Sequence, residues 1–249
     1  MNYLRNILSC AEDWFYSYVD QFNQHDDDVK YAFNLKLVHT ENVRNVCHNI
    51  AVSLDLPEHD VYLAEIIGLL HDVGRFSQYE KYHTFRDCLS EDHAYLSEKV
   101  ISEQRFFSML LEDDRKIISF AIKNHNKKCI ESTCDDYIML FARIIRDADK
   151  LDIYRIAEPL LTSADTEDIS SSILEGLLNA KQCDYSLSKT MSDRKILLLI
   201  WIYDISFAYT LEKIKEYHYI EKICQKLPHN PKLQKGLERV STYLQANIQ

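Results

Sequence analysis

GLLHDVGRF, residues Gly68 to Phe76, closes an apolar run with a histidine and an aspartate side by side, then breaks at Gly74. Reading back from it, Leu63, Ile66, Ile67 and Leu70 recur at helical spacing and form a buried stripe that leads directly to His71. Pro57 sits near the start of this helix, where proline is tolerated, and Gly74 supplies the expected helix stop. Two good metal ligands thus stand where a helix has just buried its apolar face. Neighbouring helical residues diverge by about 100°, so His71 and Asp72 can share a metal only if it sits in the angle between them, near the helix end.

The same pattern recurs along the chain. Val38, Val43, Val46, Cys47 and Ile50 keep helical spacing, and His39 lies on their side. After the polar and aromatic connection SQYEKYHTFRDCLSED, a helix opens near His93, with Leu96 and Val100 three and seven residues on. Ile118, Ala121 and Ile122 precede His125, and NHNKKC ends that segment. In DDYIMLFARIIRDADKLDIYRI, Phe141, Ile145 and Asp149 follow at four-residue steps. Leu140, Ile144 and Leu151 make an equal stripe for Asp147, so periodicity leaves Asp147 and Asp149 as alternatives.

One histidine on an apolar helix face is usually a hydrogen-bonded core residue. Four of them, His39, His71, His93 and His125, beside buried Asp72 and Asp149 would cost several kcal/mol in carboxylate desolvation unless the charge is compensated. A divalent cation removes that cost, because imidazole nitrogen and carboxylate oxygen become its ligands.

The whole composition points the same way in fold class. Across 249 residues there are only four glycines and four prolines, which disfavours turn-dense β architectures and predicts an all-α chain with short connections. No repeat, low-complexity tract or linker divides it, so a single helical domain over 1–249 is expected. The N-terminal segment reads as an amphipathic helix, ILLLIWIY (Ile196–Tyr203) as a core helix too short for a bilayer, and the chain from Asp168 onward as three or four further helices. One of these is a long aromatic helix containing Trp201, Tyr203, Phe207 and Tyr209; Pro228 and Pro231 separate it from the last.

A net charge of −10 supplies no basic field, so general nucleic-acid binding and membrane association are not expected. Seven cysteines without a CxxC pair read as reduced thiols of a cytoplasmic protein, Cys129 and Cys134 included. In HNPKLQKGLERV, Leu233, Leu237 and Val240 either pack a terminal helix or pair two subunits, which keeps a homo-oligomer open.

The ordered set His39, His71-Asp72, His93, His125, Asp149 resembles the HD-domain superfamily of metal-dependent phosphohydrolases over roughly residues 35–156, most specifically in HDVGRF and ARIIRDADKLDI. The KYHTFRD and DHAYLS segments make the resemblance closer to small bacterial single-domain HD proteins. The doubled histidine and Gly-Tyr-Pro segment of the cyclic-di-nucleotide branch are missing. The resemblance implies a helical HD bundle, here with additional N- and C-terminal helices. It further implies His39, His71, Asp72 and Asp149 as ligands of one divalent metal, with Asp147 as an outer partner or the alternative ligand. His93 and His125 would bind a second ion, touch phosphate or protonate a leaving group.

The expected reaction is cleavage of a phosphate ester by metal-activated water, on a small phosphorylated substrate with nucleotides among the options. Asp72 would also orient the water. Arg75 is expected either to meet phosphate through a bidentate guanidinium or to lie solvated at a helix end. Lys150 is expected to be solvated or ion-paired. Mixed nitrogen and oxygen ligands suit Mn²⁺, Fe²⁺, Co²⁺, Ni²⁺ or Mg²⁺ better than a closed structural zinc. Tyr79, Tyr82 and Phe85 either line a base pocket or pack locally. The alternatives are a di-iron oxygenase on the same ligands and a noncatalytic metal-bound sensor or interaction module.

Overall fold

The structure, a computed structural model, describes residues 3–22, 27–159, 168–183 and 187–248, and among these there are helices and no strands. The all-α class read from the sequence is therefore observed, and no described helix is long and apolar enough to cross a membrane. By backbone contacts the chain forms two compact units, residues 1–149 and 150–249. The division falls inside one continuous helix, Asp136–Ile156, which explains why no compositional break marks it.

In the first unit, α1 (Tyr3–Asp20) buries Leu4, Ile7, Leu8, Ala11, Phe15 and Val19 on one face. α2 (Asp27–Ser53) carries His39, Val43, Cys47 and Ile50 inward, whereas Val38, expected on that stripe, lies exposed. α3 (Glu58–Leu70) is apolar over most of its circumference, as suits a central helix, and packs against α1 and α2. Its contact with α2 is close because position 68 has no side chain: a Cβ there would lie 2.7 Å from Arg44 Cα.

Gly74 does not stop α3 as expected. No glycine has positive φ, α3 ends at Leu70, and Gly74 is the first residue of α4 (Gly74–Tyr82). The glycine is required by crowding, since a Cβ would meet Ser97 N at 2.5 Å and His93 O at 2.8 Å on α5 (His93–Ser102). The first six residues of the supposed polar connection, 77–82, are thus helical. α5 is capped by Asp92, whose carboxylate accepts from Ala94 N at 2.9 Å. A short α6 (Arg105–Ser108) leads to α7 (Glu112–Asn124), which packs on α3 and α5 and ends at His125; α8 is the Asp136–Ile156 helix.

In the second unit, α9 (Ser171–Asn179) packs against α10 (Met191–Trp201) and α13 (Pro231–Ala246), with α11 (Ala208–Glu216) and α12 (Tyr219–Cys224) between them in sequence. The single aromatic helix expected here is broken. After Trp201 the backbone tightens into a 3₁₀ turn, is extended at Ile205 and Phe207, and re-enters a helix at Ala208. Ile196–Ile200 are buried, as a core helix requires, and Leu233 and Val240 of α13 are buried as well. α9 ends at Ala180 with φ 52°, a left-handed residue without glycine.

Candidate metal centre

Four elements bring the four histidines together. His39 comes from the middle of α2, His71 from the end of α3, His93 from the first position of α5 and His125 from the end of α7. All four are at most 5% exposed, and Asp72 is 2% exposed. His39 Nε2, His71 Nε2 and an Asp72 oxygen form one cluster within 4.8 Å; Asp72, His93 and His125 form another, and Asp87, Asp92 and His93 a third.

Asp72 splits its carboxylate between the first two. Oδ2 lies 3.6 Å from His39 Nε2 and 3.8 Å from His71 Nε2, whereas Oδ1 lies 3.4 Å from His93 Nε2 and 3.6 Å from His125 Nε2. Asp149 Oδ1 adds to the first cluster through His39 Nε2 at 3.2 Å. Asp147 is fully buried but belongs to none of the three groups.

Hydrogen bonds fix which ring nitrogens face inward. His71 Nδ1–H donates to Gly68 O at 2.8 Å and His125 Nδ1–H to Ile122 O at 2.7 Å, both carbonyls of the preceding helical turn. His93 Nδ1–H donates to Asp87 Oδ2 at 2.6 Å. Each Nε2 is thereby left as the atom presented to the centre. His93 Nε2 and His125 Nε2 then face each other at 3.0 Å, and two neutral rings so placed would oppose lone pair to lone pair.

Charge states follow from burial and neighbours. Burial lowers the His71 pKa to about 3 against the pull of Asp72, so its ring is neutral. Burial likewise lowers His93 although Asp87 opposes it. For the carboxylates burial works in the other direction and is outweighed. Lys36 foremost, with Arg75, holds Asp72 well below the usual carboxylate range, and a hydrogen bond from His39 does the same for Asp149. Neutral imidazoles and ionised carboxylates are the protonation states that a metal binds.

The residues therefore fit a divalent cation on their own chemistry. His71 Nε2 and Asp72 Oδ1 are buried without a hydrogen-bond partner, and such atoms are costly unless something is bound to them. The donor set is mixed nitrogen and oxygen, while Cys129 and Cys134 are exposed free thiols outside every such cluster among the described residues.

Several residues that the sequence reading passed over shape this centre. Lys36, one turn before His39, places Nζ 2.7 Å from Asp72 Oδ2. Asp87 holds His93 and is itself held by Arg75 Nη1 at 2.9 Å and Gln78 Nε2 at 2.9 Å. Gln78 is completely buried and also donates to Ser90 Oγ and Glu91 O, fastening the segment before α5. Arg146 Nη1 donates to the carbonyls of Asn124 and His125 at 3.2 Å each and to that of Lys127.

Arg75 is partly exposed, and its guanidinium is engaged within the protein. Its Nη1 also donates to Phe85 O at 2.6 Å and Gln78 Oε1 at 2.8 Å. Lys150 is ion-paired, with Asp204. Tyr79 packs locally, 4.6 Å from the Phe85 ring and 5.7 Å from Phe33, and Tyr82 donates to Glu91 Oε1.

The family model for the HD domain matches residues 37–154, a span that contains all four histidines, Asp72 and Asp149. No curated protein and no solved structure matches the chain. The match over residues 37–154 and the ordered histidine and aspartate cluster inside it support an HD-domain protein, and the HD domain implies a superfamily of metal-dependent hydrolases.

Proposed function

We propose that this protein is a metal-dependent phosphohydrolase that cleaves an ester of a small phosphorylated molecule, with nucleotides as the first class to examine. The observation that carries the reading is Asp72, which turns one oxygen toward His39 and His71 and the other toward His93 and His125. A divalent ion held there supplies a water acidic enough to attack near neutral pH and neutralises charge on the phosphoryl oxygens.

In this reading His39, His71, Asp72 and Asp149 hold the ion, with Mn²⁺, Fe²⁺, Co²⁺, Ni²⁺ and Mg²⁺ as the metals their donor atoms suit. Asp72, fixed by Lys36 on one side, also orients the attacking water. His93, steadied by Asp87, and His125 serve the departing oxygen or a second ion. Arg75 acts through Asp87 and the Phe85 carbonyl, so we assign it to positioning His93.

The decisive experiment reconstitutes the purified protein with each metal and screens nucleotides, cyclic nucleotides and sugar phosphates, with Asp72→Asn as control. Metal-dependent release of phosphate or an alcohol, absent from the control and from His71→Ala, is the expected result. Bound iron with a charge-transfer band and no ester hydrolysis would overturn the reading in favour of dioxygen chemistry. A folded, metal-loaded protein without turnover would instead favour a sensor.

A further inference from the structure

Lys36 is the ionic partner of Asp72 on the side of the carboxylate where a metal is expected. Its Nζ lies 2.7 Å from Oδ2, the same oxygen that faces His39 Nε2 and His71 Nε2. Its side chain is 16% exposed, so the ammonium is largely withdrawn from water, and the Phe85 ring lies 5.5 Å away. The other nearby cation differs. Arg75 Nε approaches Oδ1 at 3.5 Å, but the Arg75 charge is met by Asp87 at 2.9 Å.

Counting the charges in contact with Asp72, with His39 and with Arg75 gives an imbalance. Arg75 and Asp87 cancel. Asp72 and Asp149 together match one divalent ion. Lys36 is then left as one surplus positive charge beside a dication, in a setting where like charges repel more strongly than in water. The repulsion is relieved when an anion arrives between or beside the two cations.

We propose that Lys36 is a tethered cation that couples metal binding to anion binding at this centre, weakening the hold on a divalent ion until a phosphate-like anion offsets its charge. The inference rests on the metal reading above and adds its regulation. Coupling is reciprocal: the anion tightens the metal by the factor by which the metal tightens the anion. The metal is thus held most firmly when substrate is present.

The test measures Mn²⁺ affinity from the free-ion electron paramagnetic resonance signal, with and without inorganic phosphate, in the full-length wild type, Lys36→Gln and Lys36→Arg. In the wild type and Lys36→Arg, phosphate should tighten Mn²⁺ binding roughly tenfold, within the usual range of coupled sites. Lys36→Gln should bind Mn²⁺ more tightly than the wild type without phosphate and lose most of the phosphate effect. Lys36→Met gives the same readout if the glutamine variant does not fold.

Unchanged or weaker Mn²⁺ binding in the neutral variants, or an undiminished phosphate effect, would overturn the proposal. If those results accompany ester hydrolysis by the wild type, the hydrolase reading stands alone. Coupling without hydrolysis supports the role of Lys36 and counts against that reading, and a wild type that binds no Mn²⁺ overturns both.

Discussion

His93 Nε2 and His125 Nε2 stand 3.0 Å apart, while the Nδ1 of each ring is already bound, to Asp87 and to the Ile122 carbonyl respectively. Neither ring can relieve the approach by exchanging its nitrogens without giving up that bond. A positive charge placed beside the pair removes the conflict, and the stability of the protein should therefore respond to divalent ions.

Loading with Mn²⁺ or Fe²⁺ at a hundredfold excess over the dissociation constant should stabilise the fold by about 2.7 kcal/mol. For a chain of this length that is a rise in melting temperature of roughly 5–10 °C. Scanning calorimetry before and after chelation measures it, and an unmoved transition would count against a bound ion.

Gly74→Ala would place a methyl carbon 2.5 Å from Ser97 N and 2.7 Å from Leu96 Cβ, atoms that a side-chain rotation cannot clear. Separating α4 from α5 should cost about 1–3 kcal/mol. Because His93 begins α5, metal affinity should fall as well. Urea unfolding with parallel metal titration checks both effects.

Arg146→Ala would strip three carbonyl groups around His125 of a charged donor. The expected loss is about 2–3 kcal/mol, accompanied by weaker metal binding. Arg146→Lys should rescue this only in part, since one ammonium does not reproduce the planar guanidinium.

Asp193, the third residue of α10, completes a capping box with the N-cap Thr190 and accepts from Ser170 N at 2.8 Å, Ser170 Oγ at 2.7 Å and Lys189 N at 2.9 Å, as well as from Thr190 N. Burial raises its pKa, but these donors outweigh it and hold the carboxyl below its ordinary 3.8. A depressed folded-state pKa contributes stability that is present above pH 3.8 and lost as pH falls through the lower folded value. Asp193→Asn should cost about 1 kcal/mol at neutral pH. Denaturation curves of the two proteins should converge in acid.

Much of the centre was legible because its histidines sit in apolar stripes, where helical spacing states which way a side chain points. Asp72 was legible only from its neighbour. α4 was hidden because it buries Gly74, Phe76 and Gln78, a set with one apolar side chain and so no hydrophobic period. Lys36, Asp87 and Arg146 carried no signal in the sequence, since their partners come from other segments: Lys36 and Asp72 are 36 residues apart. The break after Trp201 carries neither proline nor glycine, and the β-branched and aromatic residues from Ile202 to Phe207 suit a helix interior or an extended backbone alike.

The left-handed turn at Ala180 leaves room for protein engineering. Asp55, His83 and His218 share its positive φ, and every glycine in the described chain has been placed at a steric pinch instead. Ala180→Gly should therefore add about 0.5–1 kcal/mol of stability, the left-handed strain of alanine less the extra freedom of unfolded glycine. A chain so sparing with its smallest residue has kept a thermostability reserve at Ala180, remote in sequence from the four histidines of the metal centre, where it can be drawn on without touching the chemistry.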